Sequence, residues 1–299
     1  MYTGFYGLRE KPFEITPDVR FMYLGEDHKE ALAHLIYAVR ENRSFTVITG
    51  EVGTGKTLLA KTLLSRFEGE IRTAHVFNPK LEPMDFLQYV CGDLGIAADD
   101  ARTKGQVIAR LHRFLLECYE KNEKVVLIID EAQALDPELL EEVRLLTNLE
   151  TAKSKLLQVI LLGQPELDRI LADQKYRQLK QRIGIRYKLR PLQFEEMIRY
   201  IEKRLRTAGA VRTDLFEEPA LKEIHRISGG IPRMINLICD GALLAGFVGG
   251  AKRVNRKIVL DAAGDLDHLK NKVGSLDLIR WAAVFSLPLI GLGTMLLRA

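Results

Sequence analysis

The chain has 299 residues, 47% of them hydrophobic, which is ample for a buried core in one large or two medium globular domains. Its 44 basic and 40 acidic residues leave a net charge of +4, so bulk charge gives no argument for nucleic-acid binding. Cys91, Cys118 and Cys239 lie far apart in apolar patterns, the histidines lack metal spacing, and no secretory signal opens the chain. These features point to a reducing compartment and imply neither a zinc site nor export.

Residues 1–25 are rich in aromatics and broken by Pro12 and Pro17, which suits an ordered extended arm. Two roles are open to it, walling an adenine pocket or simply packing against the core. Ala31, Leu32, Leu35, Ile36 and Val39 recur at helical spacing and predict an amphipathic helix over 26–42. The β-branched run from Phe45 then leads into Gly50-Glu51-Val52-Gly53-Thr54-Gly55-Lys56-Thr57 and on to Leu58. That pattern is a phosphate loop, strand before and helix after. Its glycines let main-chain N–H groups approach phosphate oxygens, and the helix starting at about Gly55 or Lys56 turns its positive end toward them. Lys56 is expected on the β and γ phosphates, and the Thr57 hydroxyl on a magnesium ion.

A second strand is expected at 72–77, then helices near 84–94 and 105–121. Lys124 to Ile129 is a continuous apolar run that ends in Asp130 and Glu131, placing two carboxylates at the C-terminal edge of a buried parallel strand. Asp130 is the candidate magnesium ligand and Glu131 the candidate base for the attacking water. A helix is predicted over 132–151 with Pro137 in its first turn, and another buried strand over 156–162 ends at Gly163-Gln164. Gln164, at that tip, is the candidate sensor of the nucleotide state.

From Arg169 to Arg190 the chain turns basic. Arg182 is the candidate arginine finger for a neighbouring copy, Arg186 competes with it, and a solvated face or a nucleic-acid patch are the other readings. The last strand is expected at 186–192. Helices over 193–208, 218–228, 232–247 and 255–263 follow, separated by Gly209, Gly229-Gly230 and Gly249-Gly250. They form a helical lid, with Arg233 placed to reach back to the phosphates.

The division is therefore an arm at 1–25, an α/β nucleotide-binding domain at 26–191, a helical lid at 192–265, a linker at 266–277 and an apolar segment at 278–297. Seventeen uncharged, mostly apolar residues follow Arg280, a length at the short end of the roughly 17–25 that span a bilayer. With Trp281 at an interfacial position and Lys252, Arg253, Arg256, Lys257, Lys270 and Lys272 before it, the segment reads as a membrane anchor that keeps the body in the cytoplasm.

Taken together, Phe5-Tyr6-Gly7-Leu8, Pro12-Phe13, Pro17-Asp18, Gly50 to Thr57, Ile129-Asp130-Glu131-Ala132-Gln133, Gly163 to Leu167, Gln181-Arg182, Gly229 to Arg233 and Asn236 resemble AAA+ ATPases. More narrowly, they resemble the ExeA/GspA group of general-secretion ATPases, over nearly all of residues 1–265. The resemblance implies an α/β AAA+ P-loop fold with a parallel sheet flanked by helices and a helical lid. It further implies ATP and Mg2+ as cofactors, hydrolysis at interfaces of a homo-oligomeric ring or dimer, and an envelope secretion or export partner at the bacterial inner membrane. Such proteins commonly carry a periplasmic peptidoglycan-binding region beyond the membrane segment. This sequence stops at Arg298-Ala299, which weakens the case for cell-wall binding. Similar ATPases in exopolysaccharide clusters and in transposition leave the pathway open, and a DNA-binding regulator or transposition-type ATPase is the alternative.

Overall fold

The structure is a computed structural model that describes residues 1–15, 18–152 and 154–272. Strands β1 (Phe45–Gly50), β2 (Ile71–Val76), β3 (Lys124–Ile129), β4 (Leu157–Gly163) and β5 (Ile183–Leu189) form one sheet in the order β2-β3-β4-β1-β5. All four pairings are parallel, and the C-terminal ends of the strands therefore share one edge.

Parallel neighbours need crossovers, which α3 (Lys56–Arg66), α4 (Pro83–Asp93), α5 (Lys104–Glu120), α6 (Pro137–Leu146), α7 (Pro165–Ala172) and α8 (Arg177–Lys180) supply. One sheet face packs Phe45, Val47, Leu127, Ile129 and Leu157 against residues of α4, α5, α6 and α7. The other packs Ile48, Ile128 and Ile160 against Leu59 and Leu63 of α3 and against α2 (Glu26–Arg40). Covered on both faces, β1 and β4 are buried at every position, which is why they are mostly apolar, with Thr46, Thr49 and Gln158 as their buried polar residues.

A third core joins α9 (Phe194–Thr207), α10 (Glu218–Ser228), α11 (Pro232–Val248) and α12 (Arg256–Lys272) with Tyr2, Tyr6, Leu8, Phe13 and Phe21 of the N-terminal arm. The arm is bolted on by Arg204 of α9, only 8% exposed. Its guanidinium donates to the main-chain oxygens of Pro12 at 2.6 Å and Glu14 at 3.0 Å, and it lies over the rings of Phe21 and Tyr200.

Several expected boundaries move. The arm is not extended throughout: Tyr2–Phe5 form α1 and Val19–Phe21 a 3-10 turn. No single helix fills 132–151. Glu131 takes a left-handed conformation, Ala132–Ala134 make a 3-10 turn, and Asp136 caps a fresh helix whose first residue is Pro137, ending at Leu146. The last strand starts at Ile183 rather than 186 and ends at Leu189, because as an edge strand it is covered on one side only and Gly184 interrupts its pattern. Helix α12 runs on to Lys272, through the first part of the expected linker. The predicted membrane segment lies outside the described residues, and among the described residues no helix is long and apolar enough to cross a membrane.

Candidate nucleotide site

The loop between β1 and α3 supplies the first half of the site. Gly55 caps α3 in the left-handed region at φ 100°, with no side chain capping the helix. The first-turn N–H groups are thus left for an anion. Gly53, at φ +84°, has no room for a side chain, since a Cβ there would lie 2.5 Å from Cβ of Arg233. The N–H of Arg233 also donates to the Gly53 carbonyl at 3.3 Å. The start of α11 is therefore docked on the loop, which sets Arg233 against Gly53.

Lys56 is 6% exposed, and its ammonium donates to the carbonyls of Gly50 at 2.8 Å and Glu51 at 3.1 Å. Burial lowers its pKa, while Glu131, Asp130, Glu51 and Glu166 push the other way. Thr54 turns its hydroxyl onto the Glu51 carbonyl at 2.8 Å, and Val52 stands exposed at the loop's outer side.

The tip of β3 supplies the second half. The Thr57 hydroxyl donates to Oδ2 of Asp130 at 2.5 Å, and Oδ1 of the same carboxylate accepts the Glu131 N–H at 2.9 Å. Glu131 Oε2 accepts amide N–H groups from Gln133 at 2.5 Å and from Gln164, the residue before α7, at 2.9 Å. The Gln164 N–H in turn donates to Oε1 of Gln133 at 2.9 Å. The structure thus brings Lys56, Thr57, Asp130, Glu131 and Gln164 together at neighbouring strand tips. Gln133 completes the cluster. It was visible in the Asp130-Glu131-Ala132-Gln133 run, but nothing in the sequence gave it a role apart from Glu131's.

Two further groups had no sequence signal. His28, in the first turn of α2, meets the Thr54 carbonyl at 2.8 Å through Nε2. A carbonyl only accepts, so Nε2 carries the proton and Nδ1 is the bare nitrogen. Phe21, Tyr23, His28, Leu58, Tyr200 and Pro232 line a pocket beside the loop, so the arm both packs on the helical bundle and walls the site. The second group is Asp168, which accepts from Thr49 at 2.8 Å and from Arg186 at 2.7 Å, tying β1, α7 and β5 together beneath the loop.

The two finger candidates both have partners in their own chain. Arg182 donates to the Thr147 hydroxyl at 2.9 Å and the Arg144 carbonyl at 3.4 Å, at the C-terminal end of α6. Arg186 is the one held by Asp168.

A magnesium nucleotide fits this site on its donor set alone: an uncapped helix start, a buried lysine, and a hydroxyl and a carboxylate already converging. That arrangement belongs to the P-loop ATPases, and the match of residues 39–171 to the AAA domain family model narrows it to the AAA+ class. The chain carries the AAA domain of a P-loop ATPase and is similar to general secretion pathway protein A. General secretion pathway protein A of Aeromonas hydrophila is 42% identical over 272 residues, 91% of this chain and 50% of that protein. The chain therefore spans half the length of that relative.

Among solved structures, Cdc6p from Pyrobaculum aerophilum superposes with a TM-score of 0.65 at 16% identity, over 84% of this chain and 71% of that one. The Aeropyrum pernix ORC1 protein in complex with DNA gives 0.65 at 17%, over 94% and 73%. The Thermotoga maritima RuvB Holliday junction branch migration motor gives 0.52 at 20%, over 81% and 70%. At these identities the likeness is one of fold.

Proposed function

We propose that the chain binds Mg-ATP, hydrolyses it at interfaces between copies of itself, and uses the cycle to assemble or remodel a secretion or exopolysaccharide-export apparatus. The observation that carries the reading is the cluster in which Glu131, set beside the Thr57–Asp130 pair, is held by the amides of Gln133 and Gln164.

Thr57 and Asp130 would hold Mg2+, whose charge offsets that building up on the phosphates. Lys56 leaves its carbonyl partners for the β and γ phosphates, and Gly53, Gly55 and the start of α3 offer N–H groups to them. Glu131 takes a proton from water as the water oxygen bonds to the γ-phosphorus, and the bridging P–O bond breaks to release ADP. Gln164 stands where it registers the γ-phosphate. Arg233, carried on α11, reports the nucleotide to the lid over 192–265, and Leu58 and the arm face the base.

In this reading Arg182, or its competitor Arg186, serves the neighbour's site. Arg182→Ala is expected to keep nucleotide binding and lose rate, and mixing it with Lys56→Ala restores part of the activity. If the mixture gains nothing, neither copy donates Arg182 to the other.

The segment 278–297 would anchor the chain at the cytoplasmic face of the bacterial inner membrane, with the envelope partner reached there. A DNA-binding regulator or transposition-type ATPase is the competing reading, and it draws on exposed Lys175, Arg177, Lys180, Lys188 and Arg190. Part of that charge is spent within the chain, since Lys175 pairs with Asp173, Arg186 with Asp168 and Arg190 with Asp27.

The test compares the full chain with one ending at Ser275, by membrane fractionation and by ATPase assay with and without DNA. The full chain is expected to sediment with membranes, to resist carbonate extraction and to hydrolyse ATP regardless of DNA, while the shorter one stays in solution. Two soluble chains stimulated by DNA would replace the envelope reading with the DNA one.

A further inference from the structure

Among the described residues, three non-glycine residues have positive φ: Asn42, Asn122 and Glu131. Asparagine tolerates that region, but glutamate has no such local accommodation, so Glu131 at φ 50° needs outside support. The support comes from two residues further along the chain. The amide of Gln133 donates to Oε2 of Glu131, while its oxygen accepts the main-chain N–H of Gln164.

One side chain therefore spans the tips of β3 and β4. Space for it exists because position 163 is glycine, where a Cβ would stand 3.3 Å from Oε1 of Gln133 and 2.6 Å from Leu167. Both amides meet the same carboxylate oxygen, and among the described residues Oε1 of Glu131 takes no hydrogen bond.

We propose that Gln133 is a positioning residue for hydrolysis: it fixes which oxygen of Glu131 is free for water and links that carboxylate to the sensor Gln164. The proposal rests on the reading of Glu131 as the base. A shift of Gln164 on meeting the γ-phosphate is passed to Glu131 by two routes, its own amide and the Gln133 bridge. Base and sensor then move as one unit.

The test uses Gln133→Met, which keeps the volume and removes both polar ends, and Gln133→Glu, which keeps the acceptor for Gln164 but sets a second carboxylate against Glu131. Gln133→Met is expected to lower kcat about tenfold while affinity for a fluorescent non-hydrolysable ATP analogue stays within about twofold. Gln133→Glu falls at least as far. In the nucleotide-free protein the Gln164 amide hydrogen exchanges faster in Gln133→Met than in wild type. Adding Gln133→Met to Gln164→Ala costs less than about twofold more, as expected of one linked unit.

Wild-type kcat in both variants, nucleotide affinity falling in step with kcat, or independent multiplication of the two substitutions would each overturn the proposal. Glu131→Gln, assayed alongside, keeps the two claims apart. If it hydrolyses ATP normally, the base assignment fails. If it is inactive while Gln133→Met is normal, only the positioning role fails.

Discussion

On the sheet side of the nucleotide site, Thr57 in the first turn of α3 and Asp130, Glu131 and Gln164 just past the ends of buried strands are polar side chains, each held by hydrogen bonds to its neighbours. On the bundle side, Phe21, Tyr23 and Tyr200 form an aromatic wall, held by a buried guanidinium that reaches Pro12 across a separation of 192 residues. The first wall gathers polarity and one strained residue where charge must move. The second buries surface and immobilises an arm. Substitutions in the first are therefore expected to change rate with little change in stability, and substitutions in the second to change stability.

The largest effect is expected on the sheet side. Glu131→Gln keeps the shape and the amide contacts but removes the proposed base, so ATP is expected still to bind while turnover falls at least about a hundredfold. Steady-state hydrolysis beside a nucleotide titration measures this, and the thermal midpoint barely moves. A large drop in that midpoint would blur the contrast by giving Glu131 a structural role.

On the bundle side, Arg204→Met retains apolar volume and leaves the main-chain oxygens of Pro12 and Glu14 without their donor. A loss of about 2–3 kcal/mol is expected, because those hydrogen bonds are made by a charged group and one oxygen belongs to a buried residue. Thermal or urea unfolding measures it. An unchanged midpoint would mean that the aromatic packing alone retains the arm.

The same contrast governs how much could be read in advance. The phosphate loop, the acid pair and Gln164 were legible because each is a local consequence of chain order: a glycine pattern, or a polar residue directly after an apolar run. The helices of the bundle were legible from periodicity. Gln133 stood in plain view, yet its bridge exists only because Glu131 adopts a positive φ and Gln164 arrives at the end of β4, neither of which a periodicity reports. The Arg204 clamp and the His28 contact were out of reach because both join segments that folding alone brings together. The broken helix after Glu131 was misread for a related reason. Its apolar stripe is helical, and the break is set by the strained glutamate and by Asp136 ahead of Pro137.

The smallest expected effect lies where the two walls meet, at His28. Burial lowers its pKa from the ordinary 6.5, with the Thr54 contact opposing that shift. In the unfolded chain the ring gains its proton as the pH falls through about 6.5, while in the folded protein it resists protonation to a lower pH. Stability from this source is thus complete above that value. It declines as the pH falls toward the depressed folded pKa, by about 1.4 kcal/mol for each unit of depression.

Gln at position 28 can still offer an N–H to the Thr54 carbonyl but does not titrate. The unfolding free energy of His28→Gln should therefore fall less steeply than wild type between pH 7 and 5, with the two curves parallel above that range. His75, whose pKa burial also lowers, contributes equally to both proteins and drops out of the difference. Parallel curves throughout would show that the imidazole protonates without leaving Thr54. The joint between α2 and the phosphate loop would then be insensitive to acid, and the polar character of the sheet wall would stop short of it.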